Sequence, residues 1–445
     1  MLRQIDPQTA RNTILKRIPL DDYPVSTRML EGINRIFGEP LTPAQVVEKI
    51  LRDVRQRGDD ALADWTEKLD GVRLSVFRVP ADEIQQAAAE LPLELRQALE
   101  QAIERVRAFH QAQPLHSWLT HSLGGSLGQL VRPIHRVGLY IPAGSAPLPS
   151  SIIMSAVPAQ VAGVQEVVLV APPETSSGRI APVILATAAI LGLGEIYMLG
   201  GAQAIGALAY GTQSIRRVDK IFGPGNLFVS LAKKQVFGSV GIDSIAGPTE
   251  TMVIADENAR PAWVVADLLA QAEHDVLAAA LLLTPSQTLI DQVQVEIEKQ
   301  LETSPRAAIV RESLANRSGA VLTADLQQAV ALANEYAPEH LCLSVENPWV
   351  LVESIHAAGG IFIGENSCEV LGDYVAGPSH VMPTGGSARY SSPLQLLDFV
   401  HLVSLVALDD AAAQQIAPAA ERLARAEGLH AHANAARLRS RTEER

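Results

Sequence analysis

Two neighbouring side chains, Glu339 and His340, are the plainest candidates for chemistry, because an adjacent carboxylate and imidazole supply two general bases of different strength. They follow Ala337-Pro338 and open the apolar run Leu341-Cys342-Leu343, so one of the pair stands at a strand end and faces a cleft. A charge pair at a strand edge is the competing reading. Gln271 and His274 lie three apart in Gln271-Ala272-Glu273-His274-Asp275, after an apolar run over 263–270. On a helix, their carbonyl oxygen and imidazole nitrogen project from one face as half of a metal site. A partly buried histidine at a helix end beside a solvated glutamine has the same spacing. Asp373 begins the Gly-Pro loop that runs to His380, and Thr384-Gly385-Gly386 continues it. With Gln271, His274 and one histidine of the tail segment Glu427-Gly428-Leu429-His430-Ala431-His432, Asp373 completes two nitrogens and two oxygens, a set suited to zinc with room for substrate. Glutamine is an unusual zinc ligand, so the metal stays open, and solvated tail residues are common. Seven of the eleven histidines lie beyond residue 270 and three of those come with acids, so the cluster carries more weight than any one residue.

Composition narrows the class. A chain of 445 residues that is 47% hydrophobic builds roughly two or three domains with real cores. A net charge of -13 excludes a phosphate-tracking surface, which needs clustered Lys and Arg, and so speaks against nucleic acid and anionic membranes. The longest apolar stretch, 180–194, contains Pro182 and is shorter than the roughly 20 residues a membrane span requires. With two cysteines and no apolar core near Met1, the cytoplasm is the expected compartment. Neither Cys342 nor Cys368 has a basic sequence neighbour to lower its pKa, which disfavours covalent thiol chemistry.

The elements that must position these residues are α/β. Up to about residue 130 the pattern reads as helical and charged, with His110, His116, His121 and His135 in surface or packing roles. From Arg136-Val137-Gly138-Leu139-Tyr140-Ile141-Pro142 onward, strands at 166–171 and 195–199 alternate with helices at 151–164, 179–193 and 203–210. Such alternation predicts right-handed βαβ units and a parallel sheet. Ligands settle at the carboxyl ends of such strands, where this chain carries Gly200-Gly201-Ala202-Gln203 and Gly223-Pro224-Gly225-Asn226. Both suit a nucleotide, yet neither a Gly-x-Gly-x-x-Gly fingerprint nor a Walker loop appears. After Ala246-Gly247-Pro248-Thr249-Glu250 the alternation resumes, with strands at 251–255, 279–284, 340–345 and 360–364. The tail from about 408 reads as short helices over 411–420 and 421–425.

These motifs, in this order, resemble the histidinol dehydrogenase family from about Val137 to His432: Val137-Gly138-Leu139-Tyr140-Ile141-Pro142, Gly223-Pro224-Gly225-Asn226, Ala246-Gly247-Pro248-Thr249-Glu250, Gln271-Ala272-Glu273-His274-Asp275, Pro338-Glu339-His340-Leu341, Gly377-Pro378-Ser379-His380 and the tail segment ending Ala431-His432. The resemblance implies two parallel-sheet nucleotide-binding-like domains of the aldehyde dehydrogenase type with N- and C-terminal helical extensions. The expected limits are 1–31 for the first extension, 32–136 with 250–385 for a discontinuous domain carrying metal ligands and bases, 137–249 for an inserted domain with NAD contacts, and 386–445 for the second extension. It implies zinc-dependent, two-step NAD-linked oxidation of L-histidinol to L-histidine through a bound aldehyde. By the resemblance His340 takes the hydroxyl proton and Glu339 activates water. Zinc is held by Gln271, His274, Asp373 and His432, and NAD is contacted by Tyr140, Gln203 and Asn226. Substrate is contacted by Thr249, His340 and Glu427 together with the zinc ligands. It also implies a homodimer whose C-terminal segment completes the partner's site. Departures from the family pattern are Thr249 for the usual Ser, Ala143 for Gly, and His401 for a basic residue. A dehydrogenase of another polar alcohol, a zinc hydrolase using Glu339, and a non-catalytic metal or metabolite binder are the competing readings.

Overall fold

A computed structural model describes residues 2–19, 22–23, 25–142, 147–174 and 177–440. Ala143 and the turn it begins lie outside the described residues. The chain divides into two compact units, one of residues 1–112 and 135–395 and one of 113–134 and 396–445.

The larger unit contains both expected parallel sheets. One has five strands in the order Ile196–Met198, Glu166–Ala171, Arg136–Tyr140, Lys220–Phe222, Gly241–Ile242. All its neighbours pair in parallel. The other has six, in the order Gln4–Ile5, Gly319–Leu322, Ala279–Thr284, Glu250–Ala255, His340–Ser344, Gly360–Ile363, again all parallel. Its three central strands are buried along their whole length because each face is covered by helices. Alternation divides their side chains: Val253, Leu282 and Cys342 join one core, and Ile254, Leu283 and Leu343 the other. The first 31 residues are not only helical, since Gln4–Ile5 forms the edge strand beside Gly319–Leu322. The 302–339 stretch, to which the sequence pattern assigned no element, supplies the helices Ala307–Asn316 and Leu326–Tyr336 and the strand Gly319–Leu322 between them.

Near the amino terminus the Pro43–Arg57 helix starts from a capping box, Thr42 and Gln45 exchanging bonds with each other's backbone. It buries Val46, Val47, Ile50, Leu51 and Val54 in one core with Ile205, Leu208 and Val229 of the helices that follow the five-stranded sheet. At about 25 cal/mol per Å² of apolar surface removed from water, this face and not helix propensity holds the segment in place.

The smaller unit corrects two expectations. Residues before 130 are not all helical: Trp118–Thr120 and Ser126–Pro133 are strands, and Val400–Ala407 pairs antiparallel with the latter. The tail is two helices, Asp410–Ala426 and His430–Arg439, the first running on through Pro418. Among the described residues no helix is long and apolar enough to cross a membrane.

His110 sits inside the Leu93–Gln111 helix with no exposed surface, and neither ring nitrogen has a hydrogen-bond partner. Burial pushes its pKa down to about 4, so it folds neutral. The unfolded chain binds the proton first, and stability falls as pH drops from about 6.5 towards 4. His110→Leu should flatten this part of the stability profile. Urea midpoints measured from pH 7 to pH 4 check it, and a variant with the wild-type slope refutes it.

Candidate active site

His340 is the first residue of its strand, and Glu339 lies immediately before it, facing the start of the adjacent Glu250–Ala255 strand. Both are buried, at 3% and 7% exposure. The Glu339 Oε2 accepts from the Thr249 hydroxyl at 2.6 Å and from the Glu250 backbone N–H at 2.9 Å. His340 Nδ1 lies 3.2 Å from the Glu250 carbonyl and 3.2 Å from the Gln271 amide nitrogen, and Nε2 lies 3.2 Å from Asp373 Oδ1. The Phe362 ring stacks on the imidazole at 5.6 Å between centroids. Burial pushes the Glu339 carboxyl up to about 7, and His340 with the two hydrogen bonds opposes the shift. For His340 burial works downward, but Glu339, Asp373 and Glu369 outweigh it and raise the imidazole to about 10.

Gln271 is the penultimate residue of the Pro261–Ala272 helix, and His274 follows past its cap, where the regular helix has ended. A turn replaces it, the His274 N–H bonding the Gln271 carbonyl at 3.2 Å. The Gln271 amide nitrogen donates to Thr249 Oγ1 at 2.7 Å, which leaves its side-chain carbonyl oxygen as the apt donor to a cation. Asp373 is not in an open loop but in a π-helical turn, Gly372–Ala376. His380 Nδ1 lies 2.8 Å from the Asp373 backbone carbonyl and fixes that turn. Gln271, His274 and Asp373 line one cavity with Thr249, Glu339 and His340. Glu427 and His432 lie in the smaller unit, both exposed. Among the described residues no three His, Cys, Asp or Glu side chains converge as a metal centre. Cys342 is buried in the strand that His340 opens, and burial, with Glu369 and Asp267 nearby, raises its thiol, so no thiolate forms there.

The same cavity, about 1000 Å³, extends to Tyr140, Gln203 and Asn226. It lies between the carboxyl ends of the five-stranded sheet and the amino ends of the six-stranded one. The Tyr140 hydroxyl accepts from the Gly201 N–H at 3.2 Å, and Asn226 caps the Leu227–Val236 helix through its side-chain oxygen. Gly223 has φ 110°, and a Cβ there would meet the Tyr140 carbonyl at 2.1 Å, so only glycine fits the turn. Lys233, 2% exposed, pairs with Asp243 and donates to the Gly223 carbonyl at 2.9 Å, pinning that turn from below.

Sequence reasoning passed over Lys233, Arg17 and Glu369. Glu369, 2% exposed, lines the cavity, and burial pushes it up to about 8. Arg17 forms a buried ion pair with Glu250 and donates to the Tyr336 and Ala337 carbonyls at 2.8 and 3.0 Å. Its guanidinium lies 3.4 Å over the Tyr336 ring. Ala337 adopts φ 52°, the one left-handed non-glycine among the described residues, directly before Pro338-Glu339-His340. A signal for Arg17 exists only in three dimensions, since 233 residues separate it from Glu250.

A buried carboxylate–imidazole pair beside oxygen and nitrogen donors, in a cavity reaching the carboxyl ends of a parallel sheet, marks an α/β enzyme of proton-transfer chemistry. The Histidinol dehydrogenase family model matches residues 40–440. A histidinol dehydrogenase from Deinococcus radiodurans is 53% identical over 418 residues, covering 94% of this chain and 95% of that protein. One from Thermus thermophilus is 48% identical over 398 residues, covering 89% and 95%. The crystal structure of histidinol dehydrogenase from Elizabethkingia anophelis superposes with a TM-score of 0.90 at 36% identity, covering 98% of each chain. The chain belongs to the histidinol dehydrogenase family, a family of NAD-dependent oxidoreductases.

Arg17→Leu leaves Glu250 charged and buried without its partner and should cost about 3–5 kcal/mol. Adding Glu250→Gln should recover part of it. Denaturant midpoints of the two variants check this, and a single variant as stable as wild type rejects the pairing as a structural clamp.

Proposed function

We propose that this chain oxidises L-histidinol to L-histidine through L-histidinal in the cytoplasm, using two molecules of NAD. The observation that carries the reading is the Glu339–His340 pair, held by Thr249, Gln271 and Asp373 inside a cavity continuous with Tyr140, Gln203 and Asn226. In the first step the alcohol loses a hydroxyl proton and a hydride to become the aldehyde. In the second, the aldehyde gains water and loses a further hydride and proton, giving the carboxylic acid.

In this reading His340 takes the hydroxyl proton, and Glu339 the proton of the attacking water. A carboxyl near pH 7 is poised for that second role, because a base titrating near the working pH combines availability with strength. Thr249 steadies Glu339 and keeps the hydroxyl of the family's usual serine, so its extra methyl narrows the floor of the site without removing the bond. Gln271, His274 and Asp373, with His432 from a second copy, are the residues that would hold zinc, and two nitrogens and two oxygens suit that ion. Bound zinc supplies charge that orients the substrate, and bound NAD supplies the hydride acceptor. Were Asp373 engaged as a ligand, His340 would keep less of the charge that raises it, and its Nε2 would be free to accept a proton. Glu427 and His432 are exposed on this chain, as residues offered to a partner's site must be. Leu402, Val403, Val406, Leu423 and Leu429 are exposed in the same unit, an apolar surface suited to a second copy in a homodimer. Cys342 and Cys368 are unpaired, as suits a reducing compartment.

Purified protein should release two NADH per L-histidinol, lose that turnover on chelation and regain it with zinc. One NADH, or none with the metal intact, removes the double oxidation. His340→Gln should slow oxidation of histidinol more than of added histidinal, and Glu339→Gln the reverse. Equal losses in both half-reactions break the division of labour. His274→Ala and His432→Ala should each weaken zinc retention roughly tenfold or more in competition with a chelator. Unchanged retention in His432→Ala assigns the tail ligand to another residue.

A further inference from the structure

The far end of the cavity is walled by Met29, Ile33 and Phe37 of the Thr27–Phe37 helix and by Ile50. Gly32 also faces it, and a Cβ built there meets nothing within 4 Å. This wall is apolar, as the face of a base requires. One acid interrupts it. Asp70 is the last residue of the Asp59–Asp70 helix, where the helix dipole disfavours negative charge, and burial pushes its pKa up to about 6. Both effects oppose a carboxylate there. Asp70 Oδ2 accepts from the Gln203 amide at 3.2 Å, while Gln203 Oε1 is buried without a partner. The cavity also carries Gly201 and Asn226, at the amino ends of two helices, where a pyrophosphate is favoured. Pyrophosphate in the middle and hydride chemistry at Glu339–His340 leave the adenosine for the Asp70 end.

We propose that Asp70 selects NAD over NADP: its carboxylate accepts the hydroxyl hydrogens of the adenosine ribose and repels a 2′-phosphate, with the adenine against the Thr27–Phe37 helix. The inference deepens the NAD-linked reading above and rests on it. A carboxylate matches a vicinal diol by accepting from both hydroxyls, and a 2′-phosphate both removes a donor and adds like charge.

The test uses the full-length zinc-loaded enzyme. Asp70→Asn and Asp70→Ser should lower the ratio of kcat/KM for NAD over NADP by roughly tenfold or more, mostly through a smaller KM for NADP. Damage to the fold alone does not create a gain with NADP. Gly32→Phe should raise KM for NAD with little change in kcat or in thermal midpoint, because the ring fills open space on the cavity side. On wild type, adenosine 5′-monophosphate should compete with NAD, and adenosine 2′,5′-bisphosphate should compete at least roughly tenfold less well. Equal inhibition by the two nucleotides, or full NAD preference in folded Asp70 variants, overturns the role of Asp70 while leaving NAD-linked oxidation intact. A wild-type enzyme that reduces no NAD takes down the functional reading and this inference together.

Discussion

The arrangement turns on keeping two ionisable neighbours, Glu339 and His340, out of water. Desolvating a carboxylate and an imidazole costs several kcal/mol unless hydrogen bonds and opposite charge offset it. Here the compensation comes from two elements at once: Thr249 and the Glu250 backbone from one strand start, and Asp373 from the π-helical turn. Each must arrive within about a hydrogen-bond length, so the surrounding fold has little freedom. The Arg17–Glu250 pair extends the same demand outward. It ties the strand start holding Glu339 to the carbonyls of Tyr336 and Ala337, on the chain leading into the pair.

The two sheets contribute opposite ends to one cavity, and this explains why the site looks familiar from one side only. On the five-stranded sheet the ligand side is the carboxyl edge, as open parallel sheets usually have it, with helix amino ends at Gly201 and Leu227 facing inward. On the six-stranded sheet the residues that line the cavity include Thr249 and His340, at the amino edge. That edge presents the starts of buried strands instead. There side chains such as Glu339 can be desolvated by the sheet without lying inside it.

How far the sequence speaks for this depends on range. The strands at 166–171 and 279–284 were legible to the residue because apolar runs between turn residues leave little else. Glu339, His340 and the Gln271–His274 pair were legible as local constellations, and family motifs joined them before geometry did. Three kinds of feature were not. The strand Val400–Ala407 is largely exposed, so burial gives it no inward–outward period, and its partner lies some 270 residues earlier by the register that pairs Val400 with Pro133. The π-helical turn that holds Asp373 has no composition signal and read as a Gly-Pro loop. Arg17, Lys233 and Asp70 carry ordinary surface-type side chains, and their partners Glu250, Asp243 and Gln203 are remote or separated by a turn.

Gln271 is the position where the proposed chemistry and the packing meet. Glutamine binds zinc less well than histidine or a carboxylate, so its presence in the proposed ligand set needs a reason beyond the metal. Its amide has two ends with opposite character. The nitrogen donates to Thr249, whose hydroxyl passes a hydrogen bond on to Glu339, and it also lies within reach of His340 Nδ1, while the oxygen remains a donor of electrons to a cation. A histidine there, with one nitrogen on the metal, would have a single N–H left for Thr249 or His340. A carboxylate would have no hydrogen to give either and would add a further negative charge to Glu339, Glu369 and Asp373. A primary amide serves the ligand, the Thr249–Glu339 chain and the charge balance together, which a carboxylate cannot do.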